Sequence, residues 1–172
     1  MRKTITVLFV ILFFCSFMSA QSRFSISLQP MVASPTGSFS NGYNTGLGGL
    51  ITIGVPLNGQ LSVTLSGGAI AFGMTHANKT MVTIPVTGGI RYYFMNDNAS
   101  FNPYVLANAG IFFSSAPGYQ SESNFGYGAG GGLLAKISSN IYFDATVTIN
   151  SMTTKQSSSN YLGLAAGIKF VL

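Results

Sequence analysis

The chemistry on offer begins with one carboxylate among three cations: Asp144, with Lys136 before it, Lys169 after it and Arg91 further back. Acids and bases enclosed away from water are tolerated only when paired, so these four side chains are expected to form an internal ion-pair plug. The alternative is four separate hydrated side chains. Gly126-Tyr127-Gly128-Ala129-Gly130-Gly131 fits G-x-G-x-x-G, but a dinucleotide site needs that motif between a strand and a helix. Leu133 to Ile137 continues the same alternation instead, so these glycines are expected to make room for Tyr93, Tyr104, Tyr142 or Tyr161 opposite. His76 is the only histidine and sits in a loop, with Glu122 and several loop serines elsewhere. Nothing in the spacing requires them to act together, and a lone loop histidine is usually solvated. Asn78-Lys79-Thr80 and Asn98-Ala99-Ser100 match glycosylation triplets, which matter only in a eukaryotic secretory protein. No catalytic, cofactor-binding or metal-ligating set emerges.

The elements that position these residues are strands. From Phe125 the chain alternates: Phe125, Tyr127, Ala129, Gly131, Leu133, Ala135 and Ile137 against Gly126, Gly128, Gly130, Gly132, Leu134 and Lys136. After Ser138-Ser139-Asn140 the pattern resumes, with Ile141, Phe143, Ala145, Val147 and Ile149 against Tyr142, Asp144, Thr146, Thr148 and Asn150. Alternation with period two over this length is a hairpin of two long strands. Similar stretches start near Phe24, Thr45, Gln60, Thr80, Phe101 and Asn160, so eight strands are expected. Short turns (Pro56–Gly59, Asn96–Asn98, Ser138–Asn140) alternate with longer loops (35–44, 74–79, 114–123, 151–159). Pro85 falls inside the fourth strand, where its missing donor predicts a bulge. Every strand charge (Arg91, Lys136, Asp144, Lys169) falls on the small-polar face, and the other face carries none. On a lipid-facing surface a charge costs ~2–4 kcal/mol at mid-membrane, which gives this asymmetry a physical motive. Aromatics gather near strand ends, Phe24, Tyr92, Phe94, Phe101 and Phe143 at one rim and Phe39, Tyr43, Phe113, Phe125 and Tyr127 at the other. Two interfacial belts are the expected outcome.

Composition agrees. Of 172 residues 47% are hydrophobic and only 6% charged, against about a quarter charged in a soluble domain. Yet no stretch after the leader offers the ~20 apolar residues of a spanning helix. A membrane protein without helices must be a closed barrel, because lipid leaves open backbone groups unsatisfied. Residues 1–20 read as a signal peptide: Arg2 and Lys3 open it, Ile5 to Phe17 form its apolar stretch, and cleavage follows Ala20 or Ser22. Cys15 lies within it behind Phe14, so no lipoprotein site and no disulfide framework are expected. Without Arg2 and Lys3, six basic residues face three acids, too sparse a charge for nucleic acid.

The chain therefore resembles the small eight-stranded outer-membrane β-barrels of Gram-negative bacteria, OmpX-like and OmpA-transmembrane-domain-like. The resemblance covers residues 21–172 as one domain. It rests on Asn102-Pro103-Tyr104, on Phe125-Gly126-Tyr127-Gly128, and on the ending Gly167-Ile168-Lys169-Phe170-Val171-Leu172. That ending is similar to the family's terminal assembly signal (Gly167, Phe170, Leu172), except that Leu172 replaces a final aromatic. The resemblance implies an all-β, antiparallel up-and-down transmembrane barrel in the outer membrane, with both termini periplasmic. It also implies contact with outer-membrane lipid and with the barrel-insertion machinery through the last strand. Some small barrels of this kind are lipid-modifying enzymes using a histidine, which keeps His76 in view; the expectation here is no enzyme, no cofactor and a monomer. A structural or surface-interaction role is expected, with a small porin-like pore or a secreted lipocalin-like ligand-binding barrel as alternatives.

Overall fold

Alternating apolar and small-polar residues dictate strands, and eight form: β1 (Ser25–Thr36), β2 (Tyr43–Pro56), β3 (Leu61–Met74), β4 (Thr80–Tyr93), β5 (Phe101–Ser115), β6 (Glu122–Lys136), β7 (Ile141–Thr153) and β8 (Ser158–Val171). The computed structural model describes residues 24–75, 79–95, 99–118, 120–153 and 158–172. The expected leader, His76 and the turn Asn96-Asp97-Asn98 lie outside the described residues. Each strand pairs antiparallel with its neighbour in sequence, and the sheet closes as β1 meets β8, Ser25 opposite Val171 and Thr36 opposite Asn160. The strands run from 12 residues in β1 to 15 in β5 and β6, more than the ~9–11 that a tilted strand needs to cross the hydrocarbon.

Closure decides the two faces. Leu28, Val32, Leu47, Ile51, Leu65, Ile90, Val105, Val147, Ile149 and Leu164 point outward and are exposed. Ser27, Gln29, Thr52, Thr83, Thr87, Arg91, Asp144 and Asn150 point inward and are buried. An apolar exterior around a polar interior is the arrangement of a barrel solvated by lipid. A lipocalin-type barrel in water needs the reverse, so that alternative is set aside. Among the described residues the short turns gather at one end with Phe24 and Leu172, and there the Asn58 carboxamide oxygen accepts from the backbone N–H of Gln60 and Leu61 (2.9 and 2.8 Å). Leu172 N–H donates to Phe24 C=O there at 2.8 Å. The opposite, loop end carries a one-turn 3-10 helix, Gly37–Asn41.

Three local expectations need correction. No bulge forms at Pro85: Gly67 faces Val86 and Ile70 faces Thr83 in one unbroken register. The missing donor leaves a gap in the ladder rather than an inserted residue. The register shift of this sheet lies between β2 and β3, at Tyr43–Gly46. The loop-end connections are shorter than the sequence suggests, because β1 runs on through Thr36, β5 through Ser115 and β7 through Thr153. Their Ser/Thr-rich ends look like loop because neither face is apolar there. Finally, Phe39 does not join an outer belt. It is buried, stacks on Tyr43 with ring centroids 4.7 Å apart, and both close the barrel mouth from within. Phe113, Phe125 and Tyr127 do face outward near that rim, as do Phe24, Tyr92, Phe94, Phe101 and Phe143 at the other.

Candidate functional site

Among the described residues the buried polar and charged side chains lie in the lumen, which is filled in two layers. The layer nearer the turn end is built on Asp144, fully buried on β7. Arg91, reaching across from β4, holds it with Nη1 2.9 Å from Oδ2. The Tyr104 hydroxyl on β5 donates to Oδ1 at 2.5 Å, and Ser27 on β1 donates to Oδ2 at 3.3 Å. Thr146 donates to Oδ1 at 3.3 Å, and Gln29 Nε2 donates to the Asp144 carbonyl at 3.1 Å and to Thr146 at 3.2 Å. The Arg91 guanidinium also lies over the Tyr104 ring, 4.8 Å from its centroid. A buried carboxylate is stable when its lone pairs are taken up and its charge is opposed, and both conditions hold here. The network ties together β1, β4, β5 and β7, so it spans the lumen rather than decorating one wall.

The glycines of β6 make this possible by their missing side chains. A methyl group at Gly132 would fall on the Tyr104 ring, and one at Gly126 would meet the Phe112 ring at 2.5 Å. Of the four tyrosines expected opposite the glycine run, Tyr104 therefore has that place, and Phe112 is an unforeseen second ring.

Of the four charges singled out in the sequence, the structure brings Arg91 and Asp144 together. Lys169 instead donates to the Tyr93 hydroxyl at 3.1 Å and lies 5.0 Å from that ring's centroid. Lys136 is exposed at the turn-end rim. Register explains the separation: Lys136 faces Tyr142 and Tyr142 faces Lys169, one inward position nearer the turn end than Asp144. Two residues along a strand is ~6.6 Å, and at that level Lys169 meets the Tyr93 hydroxyl rather than the carboxylate.

The layer nearer the loops is apolar. Met31, Ile70, Phe72, Phe112, Met152 and Tyr161 are buried in the lumen, and Phe39 from the 3-10 turn closes over them. Phe72 packs edge-on against Phe39 and Tyr161, with centroids 5.4 and 5.9 Å apart. This roof escaped the sequence reading, though Ala69-Ile70-Ala71-Phe72 is apolar on both faces, the signature of a strand buried on both sides. Ser27 and Thr146 share the Asp144 carboxylate while Gln29 bonds the Asp144 carbonyl, and these meetings are invisible without the fold. Between the layers lies a cavity of about 60 Å³ lined by Thr52, Thr64, Ser66, Thr87, Asn108 and Asn150. Among the described residues, Asn108 Oδ1 is the buried side-chain oxygen without a hydrogen-bond partner.

At the C-terminal strand, a side chain at Gly167 would collide with the backbone of Leu28 and Gln29 on β1. Phe170 faces outward opposite Ile26 and Ile141, and Leu172 follows the strand end. The terminal residues thus form the closing seam of the barrel.

A closed eight-stranded barrel, apolar outside and with its buried charges inside, defines an integral outer-membrane protein. The chain belongs to the outer membrane protein beta-barrel domain family, whose model matches residues 5–170. It is similar to Neisserial surface protein A: TM-score 0.68 at 17% identity, covering 87% of this chain and 97% of that one. OprG of Pseudomonas aeruginosa superposes with TM-score 0.60 at 11% identity, covering 88% of this chain and 96% of that one. Ail of Yersinia pestis, the attachment invasion locus protein, solved with the heparin analogue sucrose octasulfate, gives TM-score 0.52 at 18% identity over 87% of this chain and 97% of that one. At these identities the likeness is one of fold. No curated protein matches the chain.

Proposed function

We propose that this protein is a closed, non-enzymatic barrel whose role is structural and surface-interacting, with its loop end outside the cell and both termini in the periplasm. The observation that carries the reading is the double filling of the lumen. A polar plug and an apolar roof leave a cavity of about 60 Å³ between them, with cavities of about 140 Å³ at the turn end and about 150 Å³ at the loop end. An eight-stranded barrel has an interior just wide enough for side chains, so what the protein offers to the exterior is its loop surface. The connections that follow β1, β3, β5 and β7 form that surface, and Lys79, Glu122 and Lys155 are the charges the sequence puts in or beside them. The names of two structural relatives, a surface protein and an attachment protein, support the assignment. So sparse a charge does not extend to this chain the heparin-analogue binding of Ail. The Gly167–Leu172 strand is the part offered to the insertion machinery, and the barrel works as a monomer in lipid.

The test is labelling of single cysteines placed in the loops and in the 56–59 turn of intact cells. Modification of the loops alone is expected; modification of the turn reverses the orientation. Planar-bilayer recording of the purified barrel is expected to give no steady conductance, and a steady current would replace this reading by the pore. His76→Ala is expected to leave the lipid A and phospholipid profiles unchanged, and an altered profile would restore the enzyme.

A further inference from the structure

Among the described residues, the mouth of the barrel at the turn end carries two lysines and no acidic side chain. Arg91 and Asp144 cancel one another deeper in, which leaves Lys136 and Lys169 lining a cavity of about 140 Å³. That volume is far above the ~10–15 Å³ that one water occupies on the same measure. Register sets the two lysines in one inward row, either side of Tyr142. Lys169 is half-buried, and the partner the structure gives it is neutral, the Tyr93 hydroxyl. An ammonium has three donors, so two remain for another acceptor. Because Tyr93 accepts from Lys169, its own O–H proton is directed elsewhere. Ser62 and Ser139 add hydroxyls to the same wall. Among the described residues lining this cavity there is no carboxylate.

A charge drawn partly out of water calls for an opposing charge. We propose that the turn-end mouth is a binding pocket for a phosphate-type oxyanion, held by Lys136 and Lys169 and oriented by the Tyr93 hydroxyl. Several donors converging on one cavity favour a polyatomic anion with several acceptor oxygens over chloride, since charge-assisted hydrogen bonds are the strong ones. The same phosphate chemistry is available from free phosphate and from lipid headgroups at the rim.

The experiment uses the whole mature chain, folded in dodecyl maltoside in chloride-poor buffer and titrated with inorganic phosphate by calorimetry. One saturable site is expected, weakened about tenfold by Lys169→Gln and about tenfold by Lys136→Gln, the loss of one charge-assisted hydrogen bond each. The gel shift on boiling should stay as in the parent, showing that the variants fold. Repeating the titration in phosphatidylglycerol nanodiscs separates the sources. Unchanged affinity assigns the site to free phosphate. Lysine-dependent competition, with a shifted headgroup phosphorus resonance, assigns it to lipid. Absence of saturable binding, or equal affinity in the Lys136→Gln/Lys169→Gln double variant, overturns the proposal. So does binding that appears only after Asp97→Asn, because the turn's own carboxylate would then be the counter-charge.

Discussion

The two halves of the lumen solve one problem by opposite physics. Towards the loops, Phe39, Phe72, Phe112, Met31 and Met152 fill space without directional bonds. Towards the turns, Asp144 is fixed by Arg91, Tyr104, Ser27 and Thr146, each aimed at a particular oxygen. Apolar packing is non-directional and tolerates swaps of similar volume. A buried charge network is all-or-none, because removing one partner strands the other. The comparison predicts that the roof responds to the amount of volume removed, whereas the plug responds to charge at constant volume.

The largest expected effect follows from the second half. Asp144→Asn is nearly isosteric, yet it leaves Arg91 buried without its counter-charge and should destabilise the barrel by ~3–5 kcal/mol. Urea unfolding in lipid vesicles measures it, and replacing both Arg91 and Asp144 by leucine should recover most of the loss. A small effect of Asp144→Asn would make the two halves alike. Next comes the roof: Phe72→Ala opens a cavity and should cost about 3 kcal/mol, while Phe72→Leu, which changes shape more than Asp144→Asn does, should stay below ~1.5 kcal/mol. Neither roof variant alone is expected to give a steady bilayer current, since the plug remains.

The β6 glycines sharpen the contrast at a finer scale. Gly132→Ala drives a methyl group onto Tyr104 and should cost ~1–3 kcal/mol. Gly88→Ala faces open space on the outer wall, where nothing lies within 4 Å, and should stay within ~0.5 kcal/mol. A change of similarly small size belongs to the cavity between the halves. Asn108→Val removes a buried oxygen that has no partner and should shift stability by less than ~1 kcal/mol, in the stabilising direction if the oxygen is dry. Both variants can be read from the same urea midpoints.

Legibility followed the same division. Which face of each strand turns inward follows from residue order, least clearly in β5, because a period of two is a local pattern. Even β5, where Phe112 sits among polar inward neighbours, follows that rule. The pairing of Arg91 with Asp144 was not separable from the proximity of Lys136 and Lys169, since all four share the inward face. Only registers such as Lys136 opposite Tyr142 show that two of them lie one step nearer the rim. Phe39 and Tyr43 misled for a related reason: an aromatic beside a loop reads as a belt residue, and only a backbone turning over the mouth sends it inside.

Order of residues along the chain by itself determined the strands, their two faces and the absence of charge on the outer one, because those follow from local geometry and the cost of burying ions in lipid. Closure decided everything that depends on distance across the barrel: that β4 faces β7 through the lumen, that Tyr104 fills the space left by Gly132, and that the loop-end half is apolar while the turn-end half is charged. Residues separated by dozens of positions meet only when the sheet closes, and no periodicity along a single strand encodes that meeting.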